Sequence, residues 1–402
     1  MLLPQKNRFS FFLDLLFKDV KEPIIDFEVI EGYSKSSIYS HTNTSNHYLK
    51  DNYAIYDFPD YLKIQIPQES AQKLNILNAP LYSGYLVNLN SYKNFDDYMS
   101  FNFGKKSKPK LLGYQKKLDL CLSPVYKMYY GEITKKEYNF LFKELKRMIK
   151  RRFIQKGERN YEVVFLDFYQ EIMFQQILTK KACIYAIYDQ KKPINISIGF
   201  IRKQLFFAFN NCYDIDYSAF NLGHINMMKH IQWCFDQNIK IFDVGRGDFL
   251  HKRRWVNETY RYQEHIIYND KHLLNSYKAY CKKIVLKLRY RAIQFLKKIN
   301  LHILFGQFMT YYYRNSKLYK SQREIKIQLD THKMASHEVP IKQLKEIVID
   351  DSPNSFLKKP LNDFLYKNRE TIHHIIIYNH LQDKNVFYIK GEKSALKVTK
   401  VL

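Results

Sequence analysis

The chain has 402 residues, of which 46% are hydrophobic, enough for a sizeable core and for two or more domains. Its mean hydropathy is −0.44, and no apolar run approaches the roughly 18 residues that a membrane-spanning helix needs. The first twenty residues place Asp14 inside an apolar stretch and lack a small-residue cleavage site. These features argue against a membrane-spanning protein and against a signal peptide.

The net charge of +26 is large. It fits either a Lys-rich composition that keeps the surface soluble or a polyanionic partner, such as nucleic acid, anionic lipid or a phosphate-bearing cofactor. The five cysteines are scattered, odd in number and without a CxxC pair. They favour reduced thiols in the cytoplasm over a disulfide framework or a zinc site, and we expect no metal.

The N-terminal part is predicted to begin with an amphipathic helix and to continue with strands and a capped helix. In chain order these are a helix at Phe9–Lys18, strands at Tyr61–Ile66 and Tyr82–Leu89, and a helix at Phe95–Phe103 capped by Asn94. A basic segment, Gly104–Asp119, follows, and Pro109 and Gly113 are expected to interrupt it.

From Val125 onward the order of elements is more informative. We predict, in order, a strand at Val125–Tyr130, a helix from Thr134 to about Gln155, a helix at Val164–Leu178, strands at Ala182–Tyr188, Ile194–Ile201 and Leu205–Cys212, a helix ending near Asn238, and strands at Ile239–Val244 and Arg261–Tyr268. Short polar turns make the three central strands an antiparallel meander.

The remaining chain is predicted as a basic helix at Asn275–Arg314 and a small α/β appendage over 321–402. The basic helix is either an ordinary surface helix or a peripheral membrane contact. His373 and His374 would alternate faces on a strand and so would not form a metal pair. The predicted domains are 1–110, 111–270, 271–320 and 321–402.

The stretch Tyr213–Trp255 combines a loop, a helix, a strand and a second, polar loop. Gly223 lies where the first loop becomes the helix, and charges of both signs follow the strand, namely Asp243, Arg246, Asp248, Lys252, Arg253 and Arg254. In α/β proteins, ligand sites are built at such strand ends.

This stretch and its element order resemble GNAT acyltransferases. Its residues are most similar to the branch of acetyltransferases related to the cellulose-biosynthesis protein CelD, which shares its architecture with FemAB-like transferases. The family phrases "YSPG" and "DFGRGDxxYKxRW" correspond to Tyr217–Gly223 and Asp243–Trp255. The resemblance implies an α/β fold of the α+β type, with a mostly antiparallel sheet flanked by helices and a second, degenerate GNAT-like half over 1–110. Two departures are the missing proline before Gly223 and His251 in place of tyrosine.

The resemblance further implies acetyl-CoA or another acyl-CoA as co-substrate. Its pyrophosphate would bind backbone amides at the helix start, which places the cofactor site at Asn221, Leu222, Gly223, His224 and Ile225. Gly223 would permit close backbone approach. Alternatively, Gly223 is a simple turn glycine before a packed helix.

Acyl transfer needs a base and a partner for the developing oxyanion. Asp248 is the candidate general base, Asp243 is expected to pair with Arg246 or Lys252 and hold the loop, and the two basic residues could bind a phosphate or carboxylate. A purely structural salt-bridge network is the alternative. Cys183 and Cys212 are expected to be buried rather than acylated.

The predicted function is therefore an acyl-CoA-dependent N- or O-acyltransferase acting on an envelope or polysaccharide sugar or a related small amine. The sugar comes from the resemblance alone. Two alternatives stay open: a FemAB-like transferase that uses aminoacyl-tRNA, and a non-catalytic basic scaffold with a degenerate fold. We expect a cytoplasmic protein, with a peripheral position at the inner membrane face left open.

Overall fold

The computed structural model describes residues 7–18, 26–33, 35–41, 51–66, 74–160, 163–247, 250–322, 327–349 and 353–401. Its strands are β1 (Arg8–Ser10), β2 (Phe27–Glu31), β3 (Ser37–His41), β4 (Tyr53–Pro59), β5 (Leu62–Gln65), β6 (Leu74–Asn88), β7 (Val125–Tyr129), β8 (Ala182–Asp189), β9 (Lys192–Arg202), β10 (Leu205–Tyr213), β11 (Ile241–Arg246), β12 (Glu258–Asn269), β13 (Gln328–Ala335), β14 (Leu344–Glu346), β15 (Ile376–His380), β16 (Val386–Lys390) and β17 (Ser394–Val401).

The α-helices of the described residues are α1 (Phe95–Asn102), α2 (Ser107–Leu122), α3 (Lys135–Lys156), α4 (Val163–Leu178), α5 (Leu222–Asp236), α6 (Leu250–Arg253), α7 (Leu273–Lys298), α8 (Leu301–Asn315), α9 (Lys317–Gln322) and α10 (Lys358–Asn368). The contacts divide the chain into two compact units that interleave along the sequence. Unit 1 holds residues 1–93, 200–209 and 234–308, and unit 2 holds the rest.

Unit 1 is built on a mixed sheet. Its strands are ordered β1-β4-β12-β6-β11-β10, of which β10 contributes its first five residues. β12 is antiparallel to β4 and β6, and β11 is antiparallel to β6 but parallel to β10. The parallel pairing follows from the chain path, because α5 connects β10 to β11 and a parallel pair needs such a crossover. A second sheet has the order β3-β2-β5.

Unit 2 holds helices α2 to α4 and two sheets. In one sheet β8 lies between β7 and β9, and β10 follows with its last residues. Two-residue turns join β8 to β9 and β9 to β10, which leaves only antiparallel pairing for these neighbours. The other sheet, β13-β17-β16-β15-β14, is antiparallel throughout. The mixed α/β fold with largely antiparallel sheets and flanking helices is therefore confirmed.

The basic segment after α1 differs from its prediction. Pro109 and Gly113 were expected to interrupt it, yet α2 is continuous from Ser107 to Leu122. Pro109 is the third residue of the helix, where a backbone N–H would have no partner inside the helix. A Cβ at Gly113 would contact nothing within 4 Å, so this glycine reflects no close approach.

Three other predicted elements also change. Phe11–Phe17 forms a π-helical segment preceded by β1 rather than a helix over Phe9–Lys18. The predicted basic helix is two helices, α7 and α8, separated near Asn300, whose φ is 59°. His373 and His374 lie in a 3₁₀ turn before β15, so the strand was predicted a few residues too early. The boundaries of the four predicted domains stay a prediction.

Candidate functional site

The loop before α5 is fixed in unit 2 by a buried carboxylate. Asp214 is 1% exposed and accepts hydrogen bonds from the guanidinium groups of Arg147 (2.9 Å) and Arg151 (2.7 Å). The ammonium nitrogen of Lys192 lies 3.2 Å from the same carboxylate. Because Arg147 and Arg151 are four residues apart on α3, one helix face presents both. Asp214 also caps the 3₁₀ helix Ile215–Phe220 that leads into α5.

These cations decide the charge state of the carboxyl. Burial alone would raise the pKa of Asp214, but Lys192, Arg147 and Arg151 outweigh burial and lower it to about 2. Asp214 is therefore ionised at any physiological pH. Its role is to anchor the loop.

The start of α5 leaves two backbone amides without an acceptor inside the helix. Asn221 adopts a left-handed conformation with φ of 56°, and the helix begins at the next residue. The amides of His224 and Ile225 donate to the Asn221 carbonyl at 2.9 and 3.4 Å. Those of Leu222 and Gly223, the first two helical residues, have no acceptor within the helix. A Cβ at Gly223 would meet nothing within 4 Å, so the backbone there is open to a ligand.

A buried polar network lies beneath this helix in unit 2. The Asn226 side chain donates to Asn195 (2.9 Å) and to the Ser197 hydroxyl (3.0 Å). The His230 ring bonds the Ser197 hydroxyl at 3.2 Å through Nε2 and the Asn226 carbonyl at 2.8 Å through Nδ1. Burial lowers the pKa of His230 to about 4, so its ring is neutral at pH 7. The network ties α5 to β9.

A cavity of about 490 Å³ opens on α2 and α10, also in unit 2. The ring of Tyr114, which lines the cavity, stacks on the ring of His224 near the start of α5, with centroids 5.6 Å apart. The ammonium of Lys117 lies 3.9 Å from the centroid of the Tyr366 ring. In the described part of the chain no acidic side chain lines this cavity, whereas four cationic ones do, namely Lys110, Lys116, Lys117 and Arg369.

In unit 1, strand β11 carries a second buried carboxylate. Asp243, 2% exposed, accepts hydrogen bonds from the hydroxyls of Tyr61 (2.7 Å) and Tyr260 (2.7 and 2.8 Å) and from the amide of Gly245 (2.7 Å). The Tyr260 hydroxyl also lies 2.7 Å from that of Tyr262. We call Asp243, Tyr61, Tyr260 and Tyr262 the tyrosine cluster.

Burial raises the pKa of Asp243, although the hydrogen bonds from Tyr260 and Tyr61 and from the Gly245 amide oppose the rise. The pKa values of the tyrosines are raised as well, because burial and the nearby carboxylate bring those of Tyr61 and Tyr260 well above the usual value of 10. Their hydroxyls therefore stay protonated and donate. Gly84 makes room for the cluster, since a Cβ there would lie 2.2 Å from the Tyr260 ring.

Two glycines and a lysine shape the polar loop that follows. Gly245 and Gly247 have φ of 72° and 101°, values that favour glycine, and the register of β11 against β6 shifts at Gly245. The Lys252 ammonium donates to the carbonyls of Val244 (2.6 Å) and Arg246 (3.1 Å). The loop is thus pinned through its own backbone.

Arg246 lies beside a different group from the one expected. Its guanidinium carbon is 5.9 Å from the centroid of the Tyr82 ring, whose hydroxyl donates to Asp57. Asp243 was expected to pair with Arg246 or Lys252, and tyrosine hydroxyls take that place. The charge of Lys252 still helps to lower the pKa of Asp243. The candidate base, Asp248, lies outside the described residues.

The structure brings the predicted residues into two groups. Asp243 and Arg246 on β11 and Lys252 on α6 belong to unit 1, and 221–225 form one helix start in unit 2. Within the second group the side chains of Leu222 and Ile225 are core residues with no exposure. Cys183 and Cys212 are buried free thiols, as expected, and burial raises the pKa of Cys183.

Sequence reasoning missed the partners of both carboxylates. Tyr260 and Tyr262 are two apart on a strand and so share a face, and Arg147 and Arg151 share a helix face. These spacings were available signals. Tyr61 lies 182 residues from Asp243, and nothing in the sequence connects the two.

Comparisons with solved structures give distant similarity. A conserved protein of unknown function from Bacteroides thetaiotaomicron aligns at 8% identity and TM-score 0.35, over 54% of this chain and 69% of its own. L-PGS from Bacillus licheniformis aligns at 11% and 0.34, over 60% and 73%, and FemX at 9% and 0.32, over 45% and 61%. No curated protein matches the sequence.

A family model identifies the central part of the chain. The model for the acetyltransferase (GNAT) domain matches residues 134–253. The match begins at Thr134, which caps α3, and ends in α6, so it includes the start of α5 and the loop after β11. Residues 134–253 of this chain therefore match a GNAT-type acetyltransferase domain.

Proposed function

We propose that this protein is an acyl-CoA-dependent acyltransferase. The observation that supports the proposal best is the open start of α5 inside the GNAT domain. There the Gly223 amide has no acceptor within the helix, and Gly223 has no side chain that would block an approaching phosphate. The His224 and Ile225 amides donate to Asn221 and are not part of the proposed cradle.

The cationic cavity is the proposed place for the remaining phosphate charge of the donor. It adjoins His224 through the stacked ring of Tyr114. Its lysines and arginine attract anions without competition from a lining carboxylate. The rings of Tyr114 and Tyr366 offer apolar faces on which a nucleotide base could stack. This arrangement suits a donor that carries both phosphates and an aromatic base.

The chemistry proposed is direct transfer. An amine or hydroxyl of the acceptor attacks the thioester carbonyl, the C–S bond breaks, and the coenzyme leaves as a thiolate that takes up a proton from water. The acceptor proton passes to a base, for which we propose Asp248. The tyrosine cluster and Lys252 would hold the preceding strand end in place. A sugar or small amine is the proposed acceptor class.

Calorimetric titration with acetyl-CoA tests the proposal. We expect saturable binding whose affinity falls only slightly between low and moderate salt, because a few charges are neutralised. A tRNA donor would engage many cations, and its affinity would fall by orders of magnitude over the same range. Absence of acetyl-CoA binding together with steeply salt-dependent tRNA binding would replace this proposal by an aminoacyl-tRNA-dependent one.

The proposed base has its own test. Asp248→Asn keeps the side-chain volume but removes the negative charge, so we expect turnover to fall by about a hundredfold or more while acetyl-CoA affinity stays nearly unchanged. Release of free coenzyme thiol measures turnover. Wild-type turnover in this variant would assign Asp248 a structural role.

A further inference from the structure

Helix α7 is fastened to unit 1 by one narrow face. Ala279 and Leu286 pack in a buried cluster with Ala79, Ile266 and Tyr268. The Lys282 ammonium lies 2.8 Å from the fully buried carboxylate of Glu264. The Asn52 side chain donates to the Asn275 carbonyl at 2.8 Å. These contacts fix the orientation of α7 about its axis.

The opposite face of α7 is apolar and open. Tyr277, Ile284, Leu288 and Phe295 follow one another at spacings of seven, four and seven residues, which places them in one stripe. Each is more than half exposed, at 69%, 56%, 58% and 61%. A helix that buries one face normally turns polar side chains to the other. Here large apolar side chains stand where polar ones are expected.

The next helix continues this exposed apolar surface. No buried residue is found in α8, and its first two turns expose Leu304, Phe305 and Phe308 to more than 60% each. We call residues 273–308 the α7–α8 segment. Isolated exposed apolar residues need no explanation, but a run of this size marks an interaction surface.

The charges of the segment identify its partner. The α7–α8 segment contains eight Lys or Arg residues and neither Asp nor Glu. On the helical projection, Lys283, Lys287 and Arg291 lie along one border of the apolar stripe, and Lys278 and Arg289 lie along the other. Long basic side chains beside an apolar stripe can reach anionic headgroups while the stripe enters the acyl boundary.

We propose that the α7–α8 segment binds the surface of an anionic lipid bilayer, lying in the interface plane. Among the described residues no helix is both long and apolar enough to cross a bilayer. A nucleic acid would contact the basic borders but leave the apolar stripe exposed to water. A second copy of this chain would bring the basic borders of one apolar stripe against those of the other, which is unfavourable.

Vesicle flotation with the full chain tests the proposal. We expect the protein to float with vesicles of phosphatidylcholine and phosphatidylglycerol and to stay in solution with phosphatidylcholine alone. Ile284→Glu/Leu288→Glu should lower the partition coefficient at least about tenfold. The matched control is Phe101→Glu/Val164→Glu, which changes two side chains of 80% and 77% exposure elsewhere by the same charge and should float normally.

A charge variant keeps the test decisive if the apolar variant folds poorly. Lys283→Gln/Lys287→Gln/Arg291→Gln should lower the partition coefficient by about a hundredfold, whereas Lys136→Gln/Lys143→Gln/Lys150→Gln on α3 should change it far less. Equal losses in the two triple variants would overturn the proposal. So would sedimentation equilibrium showing a wild-type dimer that Ile284→Glu/Leu288→Glu dissociates. Acetyl-CoA titration of the same variants reports separately on the proposed enzyme activity.

Discussion

Two buried aspartates of this protein have opposite surroundings. Asp214 and Asp243 are 1% and 2% exposed. Asp214 directly follows β10, whereas Asp243 lies within β11. Asp214 is surrounded by Arg147, Arg151 and Lys192, and its pKa is lowered to about 2. Asp243 is held by tyrosine hydroxyls and a backbone amide, and burial raises its pKa. Burial alone therefore does not determine the charge of a carboxyl group.

The difference separates an anchor from a group that can change its protonation. The three cations offset the cost of burying the Asp214 charge, so Asp214 stays ionised and holds the loop before α5. Neutral hydroxyls stabilise a buried carboxylate less, so Asp243 becomes protonated more readily. Removing a charge or a hydrogen-bond partner should therefore have its largest effect at Asp214 and its smallest effect at the partners of Asp243.

The largest effect is expected for Asp214→Asn. The substitution leaves the guanidinium groups of Arg147 and Arg151 and the Lys192 ammonium without their shared counter-charge. We expect the free energy of unfolding at pH 7 to fall by about 3 kcal/mol. Denaturant unfolding of the variant and the wild type measures the change. A loss below about 0.5 kcal/mol, typical of a surface position, would contradict the anchor role.

A smaller effect is expected for Asp243→Asn at neutral pH. The amide oxygen can still accept from the Gly245 N–H, and the amide NH2 in the other position can donate to the Tyr61 hydroxyl. The substitution also removes a charge that burial disfavours. We expect the free energy of unfolding to change by no more than about 1 kcal/mol. A loss as large as that of Asp214→Asn would mean that the two carboxyls are equivalent.

The two aspartates should also differ in the sign of their pH dependence. The pKa of Asp214 is below its usual value of 3.8, so its stabilisation is complete above pH 3.8 and is lost as the pH falls toward 2. The pKa of Asp243 is above 3.8, so its contribution is complete below pH 3.8 and is lost as the pH rises through the folded-state pKa. At each pH, the free energy of unfolding of each Asn variant is subtracted from that of the wild type. The difference plotted against pH gives one curve for each aspartate. Curves of the same sign would contradict the assignment.

The smallest effect is expected for Tyr61→Phe. Removing this hydroxyl takes away one of the hydrogen bonds that lower the pKa of Asp243, so that pKa should rise further. We expect a loss of about 0.5 kcal/mol at pH 7 and a shift of the Asp243 curve to higher pH. Tyr39→Phe in the same unit is a control outside the tyrosine cluster, and it should leave the Asp243 curve where it is.

The helical and strand pattern of residues 125–268 was predictable because apolar periodicity and caps are local. Thr134 as a cap and the two-residue turns between strands are examples. The surroundings of Asp243 were not predictable, because Tyr61 approaches from the turn between β4 and β5, 182 residues away in sequence. Electrostatic pairing of Asp243 with a nearby Arg or Lys was the natural expectation from sequence proximity. The fold instead places aromatic hydroxyls there.

The open amides of α5 show the same limit. The glycine indicated a close approach, but which amides stay available depends on the left-handed turn at Asn221, whose carbonyl accepts from His224 and Ile225. Sequence spacing limits the proposed cradle to five residues. The hydrogen bonds of His224 and Ile225 and the burial of Leu222 then limit it to the Gly223 amide.

The central claim is that the start of α5 binds the phosphates of an acyl-CoA. Titration calorimetry of Gly223→Val with acetyl-CoA tests it most directly, because a Cβ at Gly223 would meet no atom of another element within 4 Å and we expect the fold to stay intact. The matched control is Gly306→Val on α8, another helical glycine with open space around it. We expect Gly223→Val to weaken binding by at least about tenfold with an unchanged melting temperature, and Gly306→Val to bind as the wild type does. Equal affinity in the two valine variants would contradict the claim.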